Sequence, residues 1–318
     1  MDVGQLLCEP LVRLDNRSTS LKREEIVCVC CVRNEFLRLP FFIDYYRKLG
    51  VDRFYFIDNV STDGTTDFLL NQPDSHVYSA TGRYSDSHCG VRWINQILDA
   101  NAQDHWALTV DADELIVYPD CEEIGLAALA QRIEKEGAGC LQAFLLDFYS
   151  DLPIRETTYR RGADFRTACP FFDTDTYHEF GPRGLPRRGG PRHRLFWSGR
   201  SNPKPSPYLE KFPFAKWGPA VRYEASTHII SGSRASGKTG ALQHFKFFSS
   251  FFEQAAEEAA RGEHWDGAWE YRTYWNVLRA EPSLSAYHPG SARYRDSRQL
   301  VDQGLMLAKT PAMARGQS

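Results

Sequence analysis

A mostly parallel, doubly wound α/β sheet is the fold this sequence predicts, and three observations carry it. Short apolar runs of strand length recur at 26–32, 54–57, 77–79, 106–110 and 140–148, as strands buried on both faces require. Helix-compatible stretches lie between them, so strand and helix alternate as parallel crossover units do. Three of the runs end abruptly in polar residues, and the carboxyl edge of an open sheet is where ligands bind.

The first unit starts at IVCVCCV (26–32) and stops at Arg33, Asn34 and Glu35. Apolar residues at helical spacing follow (Leu39, Phe42, Ile43, Tyr46, Leu49) and close at Gly50. A second strand at 54–57 ends in Asp58, Asn59, Ser61 and Asp63, turn and cap residues before a helix at 65–70. A short strand at 77–79 and a helix at 93–102 lead to WALTV (106–110), which runs straight into Asp111, Asp113 and Glu114. Beyond these come a helix at 124–136, a buried strand at 140–148 carrying Asp147, and two helices at 251–261 and 265–278. From about residue 282 the chain turns polar and is expected to fray. The expected division is a polar leader (1–24), one α/β domain (25–250), and C-terminal helices with a polar tail (251–318).

Composition narrows the function. With 42% hydrophobic residues among 318, the chain can bury a sizeable core. Its 38 basic and 41 acidic residues nearly cancel, which removes any global electrostatic case for a nucleic-acid partner. No window is long and apolar enough to be a transmembrane segment, and residues 1–25 lack a signal-peptide core. Cys28, Cys30 and Cys31 lie in one apolar run and read as small core residues, so a reducing, cytoplasmic location is expected.

Asp111 and Asp113, flanking a small alanine at a strand's end, can face one divalent cation or one ribose together. Hard oxygen ligands of this kind suit Mg²⁺ or Mn²⁺. Alone, such a pair is more often a solvated turn; three polar clusters at one edge favour a nucleotide-diphosphate site. The quoted motifs, VRNEFLRLPFFIDYYRKLGVDRFYFIDNVSTDG, WALTVDADELIVYP, LQHFKFF and ARGEHW, resemble in order and spacing the family 2 glycosyltransferases of the GT-A fold, particularly their bacterial branch.

That resemblance implies transfer of a sugar, with inversion, from a nucleotide sugar, most often a UDP-sugar, to a carbohydrate or other hydroxyl acceptor, as in bacterial surface-polysaccharide synthesis. It implies a Mn²⁺ or Mg²⁺ cofactor, with Asp111, Asp113 and His244 as metal ligands. Arg33, Asn34, Glu35, Asp58, Asn59, Asp111 and Arg192 are the expected nucleotide-sugar contacts. Asp151, with Asp147 as rival, is the expected base, since both follow the strand after DADE. Many family members carry two aspartates where this chain has Asp58 and Asn59, which leaves the nucleobase open.

Two further stretches compete for attention. GSRASGKT (232–239) satisfies the phosphate-loop pattern GxxxxGK[ST], which needs a strand before it and a helix after it. Little structured chain remains for a second nucleotide-binding sheet, so a phosphotransferase or NTPase is the lesser reading, beside a non-catalytic sugar-nucleotide-binding protein. Residues 182–200 hold six arginines and no acid, among glycines and prolines, and are expected to form a mobile basic loop that clamps an anion. The bland alternative is that Arg192 and Arg194 pair with distant carboxylates. His228 is read as structural.

Overall fold

The computed structural model describes residues 10–308; Cys8, the start of the leader and the last ten residues lie outside the described residues. Among these, β1 (Val12–Arg13), β2 (Val27–Val32), α1 (Leu39–Leu49), β3 (Arg53–Asp58), α2 (Thr65–Leu70), β4 (Ser75–Ser79), α3 (Val91–Asn101) and β5 (Trp106–Thr109) follow the expected alternation. A tight turn then leads to β6 (Glu114–Val117), followed by α4 (Leu126–Lys135) and the long β7 (Cys140–Tyr149). The chain continues through α5 (Phe165–Ala168), β8 (Phe171–Asp173), β9 (Tyr177–Phe180), β10 (Pro186–Gly189), α6 (Gly190–Phe196), β11 (Glu210–Lys216), β12 (Arg222–Tyr223), β13 (Ile230–Ser231) and β14 (Ala235–His244). Helices α7 (Phe251–Arg261) and α8 (Trp265–Ala280), strand β15 (Ser291–Arg293) and α9 (Ser297–Asp302) complete it.

The central sheet has the order β1-β4-β3-β2-β5-β11-β7-β14-β6. β4, β3, β2 and β5 are parallel neighbours, as are β7 and β14, while β1, β11 and β6 run the other way. The fold is therefore the α/β class expected, with a mostly parallel sheet. Strand periodicity explains its two apolar layers. Cys28, Cys30, Phe54 and Phe56 face α1 and α4, whereas Val27, Val29, Tyr55 and Ile57 face α3 on the other side. α1 ends at Gly50, whose left-handed φ of 96° lets its N–H reach back to the carbonyls of Tyr46 and Arg47. A third apolar cluster joins α6, α7 and α8 through Phe196, Trp197, Phe251 and Tyr274.

Several expectations are corrected here. GSRASGKT forms no phosphate loop: most of it lies in β14, paired with β7, and no helix follows the lysine. Lys238 instead meets Glu136. This pair is partly exposed and contributes at most about 1 kcal/mol, so Lys238→Ala is expected to leave nucleotide binding unchanged and shift the melting temperature little. Calorimetry on the variant checks both.

The tail does not fray from residue 282. β15 pairs with β8, Glu122 accepts from the Ser297 N–H at 2.8 Å and its hydroxyl at 2.5 Å, and Leu300, Leu305 and Met306 are buried in the core. None of the described helices is long and apolar enough to cross a membrane.

The chain's early residues, β1 among them, cover the outer side of β4. Asp15 accepts from Arg13 at 2.7 Å and from the Val77 N–H at 3.0 Å, and lies 3.1 Å from His76 Nδ1. Burial would raise its pKa, but these partners, Arg13 foremost, hold it well below the usual carboxylate range. A depressed folded pKa contributes stability that is fully present above the unfolded value of about 4 and is lost as pH falls below it. Denaturant titrations between pH 5 and 2 are expected to show a shallower acid loss for Asp15→Asn than for the parent chain.

Candidate functional site

A cleft of about 270 Å³ opens at the carboxyl ends of the parallel strands. Its floor follows from sheet register. The turn after β5 carries Asp111 to Asp113 and is closed by the Glu114 N–H donating to Asp111 O at 3.0 Å. β14 lies between β6 and β7, placing His244 opposite Glu114 on one side and Asp147 on the other. Three residues remote in sequence are thus set side by side by backbone pairing.

His244 bridges two acids: its Nδ1 is 2.5 Å from Asp147 Oδ1, and its Nε2 is 3.3 Å from Asp113 Oδ2. Burial favours the neutral imidazole, but Asp113 and Asp147 outweigh it and raise its pKa. Burial likewise pushes the Asp113 carboxyl up, and His244, Lys246 and Arg38 more than reverse that, so it stays ionised. Asp147 is 1% exposed and also accepts from Arg192 Nε at 2.8 Å. The Asp147 contact engages His244 Nδ1 and leaves Nε2 toward Asp113, the arrangement a metal-binding histidine needs.

Asp113, Glu114 and His244 offer ligand atoms within 4.8 Å of one another, a candidate metal cluster of two carboxylates and an imidazole. Mn²⁺ accepts such a donor set. Asp111, expected among the ligands, lines the same cleft beside that cluster: Lys211 Nζ lies 2.7 Å from its Oδ2 and 2.5 Å from Glu114 Oε1. Burial raises the Glu114 carboxyl to about 7 despite that lysine. The Asp111 side chain is 58% exposed; its setting in the cleft partly desolvates it, and Lys211 more than offsets this and holds the pKa below its ordinary value.

Lys211 was not found from the sequence. It belongs to β11, inserted antiparallel between β5 and β7, and Pro213 disguises that strand. A proline argues against a central strand; here the β11–β7 register shifts between Lys211 and Phe214, and that irregularity takes up the missing donor. Lys246, two residues past His244, is the second cation missed. It is 7% exposed, lies over the Tyr271 ring with Nζ 3.2 Å from its hydroxyl, and has no carboxylate within ion-pair distance among the described residues.

The remaining expected residues divide. Arg33, Glu35, Asn59 and Arg192 line the cleft; Asn34, Asp58, Asp147 and Asp151 do not. Asp58 spends its carboxylate on the turn, accepting from the Ser61 N–H and hydroxyl at 3.0 and 2.6 Å and from Thr66. The Asn59 amide is also occupied, donating to Ala80 O and Gly82 O and accepting from Arg261 at 2.7 Å. Asn34 caps the same turn through the Thr62 N–H, and Asp151 is exposed beside Ser150. Glu35, paired with Arg38 at 2.9 Å, is raised to about 7 by burial. His228 lines the cleft, and burial keeps its imidazole neutral with a pKa lowered to about 4.

The arginine-rich stretch is not a mobile clamp. It forms β10 and α6, and its guanidinium groups find acids outside the stretch: Arg187 with Glu210, Arg188 with Glu179, Arg192 with Asp147, Arg194 with Asp173 and Arg200 with Glu281. Arg183 meets Gln142 and the Ser236 carbonyl. Five of the six arginines in the stretch thus have an acid partner within the fold.

No known family model matches the chain. Over 195 residues, however, it is 29% identical to a glycosyltransferase family 92 protein of Oryza sativa subsp. japonica. The chain is similar to a glycosyltransferase. The match takes in 57% of the chain and 26% of the rice protein, so it spans about a quarter of that relative's length. The relative's family number is 92, whereas the motifs resemble family 2.

Among solved structures, 4-diphosphocytidyl-2C-methyl-D-erythritol synthase overlays 89% of this chain and 99% of its own at 12% identity and a TM-score of 0.30. Glucosyl-3-phosphoglycerate synthase from Mycobacterium tuberculosis, in complex with Mn²⁺, UDP and glucosyl-3-phosphoglycerate, overlays 46% of this chain and 56% of its own at 18% identity and a TM-score of 0.25. Overlays this loose add nothing to the fold read from the sheet itself.

Proposed function

We propose that the chain is a glycosyltransferase that moves a sugar, with inversion, from a nucleotide-diphosphate donor to a hydroxyl acceptor, with Mn²⁺ or Mg²⁺ at Asp113 and His244. The observation that carries this reading is the His244 imidazole, backed by Asp147 and aimed at Asp113 at the carboxyl edge of the sheet. A divalent ion there would neutralise a departing diphosphate. Lys246 is the protein's own cation for the same charge, buried beside Asp113 without a carboxylate of its own, and Arg192 Nη2 is a second buried donor without a partner. Asp111, more than half exposed in the cleft and paired with Lys211, would accept from ribose hydroxyls.

For the base, the cleft offers Glu270 of α8, which accepts from the Tyr274 hydroxyl and lies 3.9 Å from Arg192. Asp113, Lys246 and Glu270 all line the cleft, and the charges of both acids favour the Lys246 cation. Glu270 would take the acceptor hydroxyl's proton as the oxygen attacks the anomeric carbon. Glu270→Gln is expected to lower kcat by about 10²–10⁴-fold while the donor's KM stays within a few-fold. Equal losses of kcat and donor affinity would point to a binding role instead.

The reading as a whole is tested by calorimetry against UDP-, GDP- and CDP-sugars with and without Mn²⁺, followed by transfer to a panel of carbohydrate acceptors. No binding of any donor in either condition overturns it.

A further inference from the structure

A second cavity of about 180 Å³ adjoins the cleft, sharing Arg33, Gln254 and Glu258 with it, between the 33–38 turn and the start of α7. Arg38 lines it and is only 4% exposed. Its Nη1 donates to Glu35 at 2.9 Å, but Nε and Nη2 are buried with no hydrogen-bond partner among the described residues. Those two atoms form one edge of the planar guanidinium, the edge that grips both oxygens of a carboxylate or phosphate. Buried donors are seldom left unmade in a folded protein, and each instance asks for an explanation. Two more line the same cavity, Arg33 Nε and Ser250 Oγ, both buried and unpartnered.

We propose that this cavity is a binding subsite for a carboxylate, the anionic group of the acceptor; only its assignment to an acceptor rests on the glycosyl-transfer reading. The acids around it have other partners or face solvent. Glu257 pairs with Arg33 at 3.3 Å, Glu258 pairs with Arg261 at 3.3 Å and His264 at 3.1 Å, and Glu253 is exposed at the rim. Buried Glu258 adds one acceptor without a hydrogen bond among the described residues, its Oε2, against four such donors on Arg38, Arg33 and Ser250, so the buried part is rich in donors while the outer part repels. A phosphate dianion meets that rim with about twice the charge of a carboxylate, so the singly charged group fits better. The shared wall lets one molecule place its carboxylate on Arg38 and its hydroxyl in the cleft.

The test is calorimetry on the full chain without nucleotide, using glucuronate, glucose and inorganic phosphate as probes. Glucuronate is expected to bind at least tenfold more tightly than glucose and more tightly than phosphate. Arg38→Lys, which keeps the charge and removes the fork, is expected to weaken glucuronate at least tenfold. Glu253→Gln, on the exposed rim, is expected to tighten it several-fold while UDP binding with Mn²⁺ stays unchanged. Glucuronate binding no better than glucose, or equally well to Arg38→Lys, overturns the subsite; phosphate binding more tightly than glucuronate overturns the carboxylate. Should Arg38→Lys fail to fold, an unchanged or weaker glucuronate affinity in Glu253→Gln overturns it equally. Donor binding is measured separately, so loss of the transferase reading leaves these outcomes distinct.

Discussion

Asp113→Asn is expected to reduce turnover by at least about 10³-fold and to abolish the effect of Mn²⁺ on donor binding. The substitution keeps the side chain's shape and removes the charge that His244 Nε2 faces at 3.3 Å. An amide oxygen is a poorer ligand for a hard cation than a carboxylate, and the buried cations Lys246 and Arg38 would lose the acid that lies near them. Calorimetry of donor binding with Mn²⁺ and in EDTA reads the first effect, and a steady-state transfer assay the second. Full turnover by the Asn variant, or donor affinity indifferent to EDTA in the parent chain, would remove Asp113 from the metal.

Asp147→Asn is expected to act on stability as well as on the metal. Its carboxylate is fully enclosed and serves Arg192 and His244 together, so loss of the charge leaves a buried guanidinium without its partner. Breaking one side of a buried pair costs about 3–5 kcal/mol. The carboxylate also fixes the imidazole's tautomer, and loss of such support weakens a metal by about 10–100-fold. Urea denaturation and Mn²⁺ titration should therefore both change. Stability unchanged within about 1 kcal/mol would mean that Arg192 finds another acid, with Glu270 at 3.9 Å the nearest at hand.

What could be read in the sequence was what local pattern encodes. Buried parallel strands are continuous apolar runs, so β2, β3, β5 and β7 were visible, and α1, α4 and α7 showed through their spacing and glycine stops. β14 was hidden because Ala235 to Gly240 carries little apolar pattern and is a strand only through pairing on both sides. β11 was hidden by Pro213. The arginine stretch looked unpaired because Asp147, Asp173, Glu210 and Glu281 are its neighbours only in space. In the cleft, Asp113 and His244 stood in legible motifs, whereas Lys211, Lys246 and Glu270 have no local signature. Which carboxylates are free to react depends on the cations that reach them, and no spacing rule carries that.

The placement of β14 also bears on how the chain comes to be active. His244 and Asp147 are 97 residues apart and are brought together by the pairing of β14 with β7. Closing loops of that length makes a contact late and slow. On the proposed metal site, metal affinity should therefore be regained late in refolding, trailing the return of tryptophan fluorescence, and a nascent chain should acquire it only once residue 244 has left the ribosome.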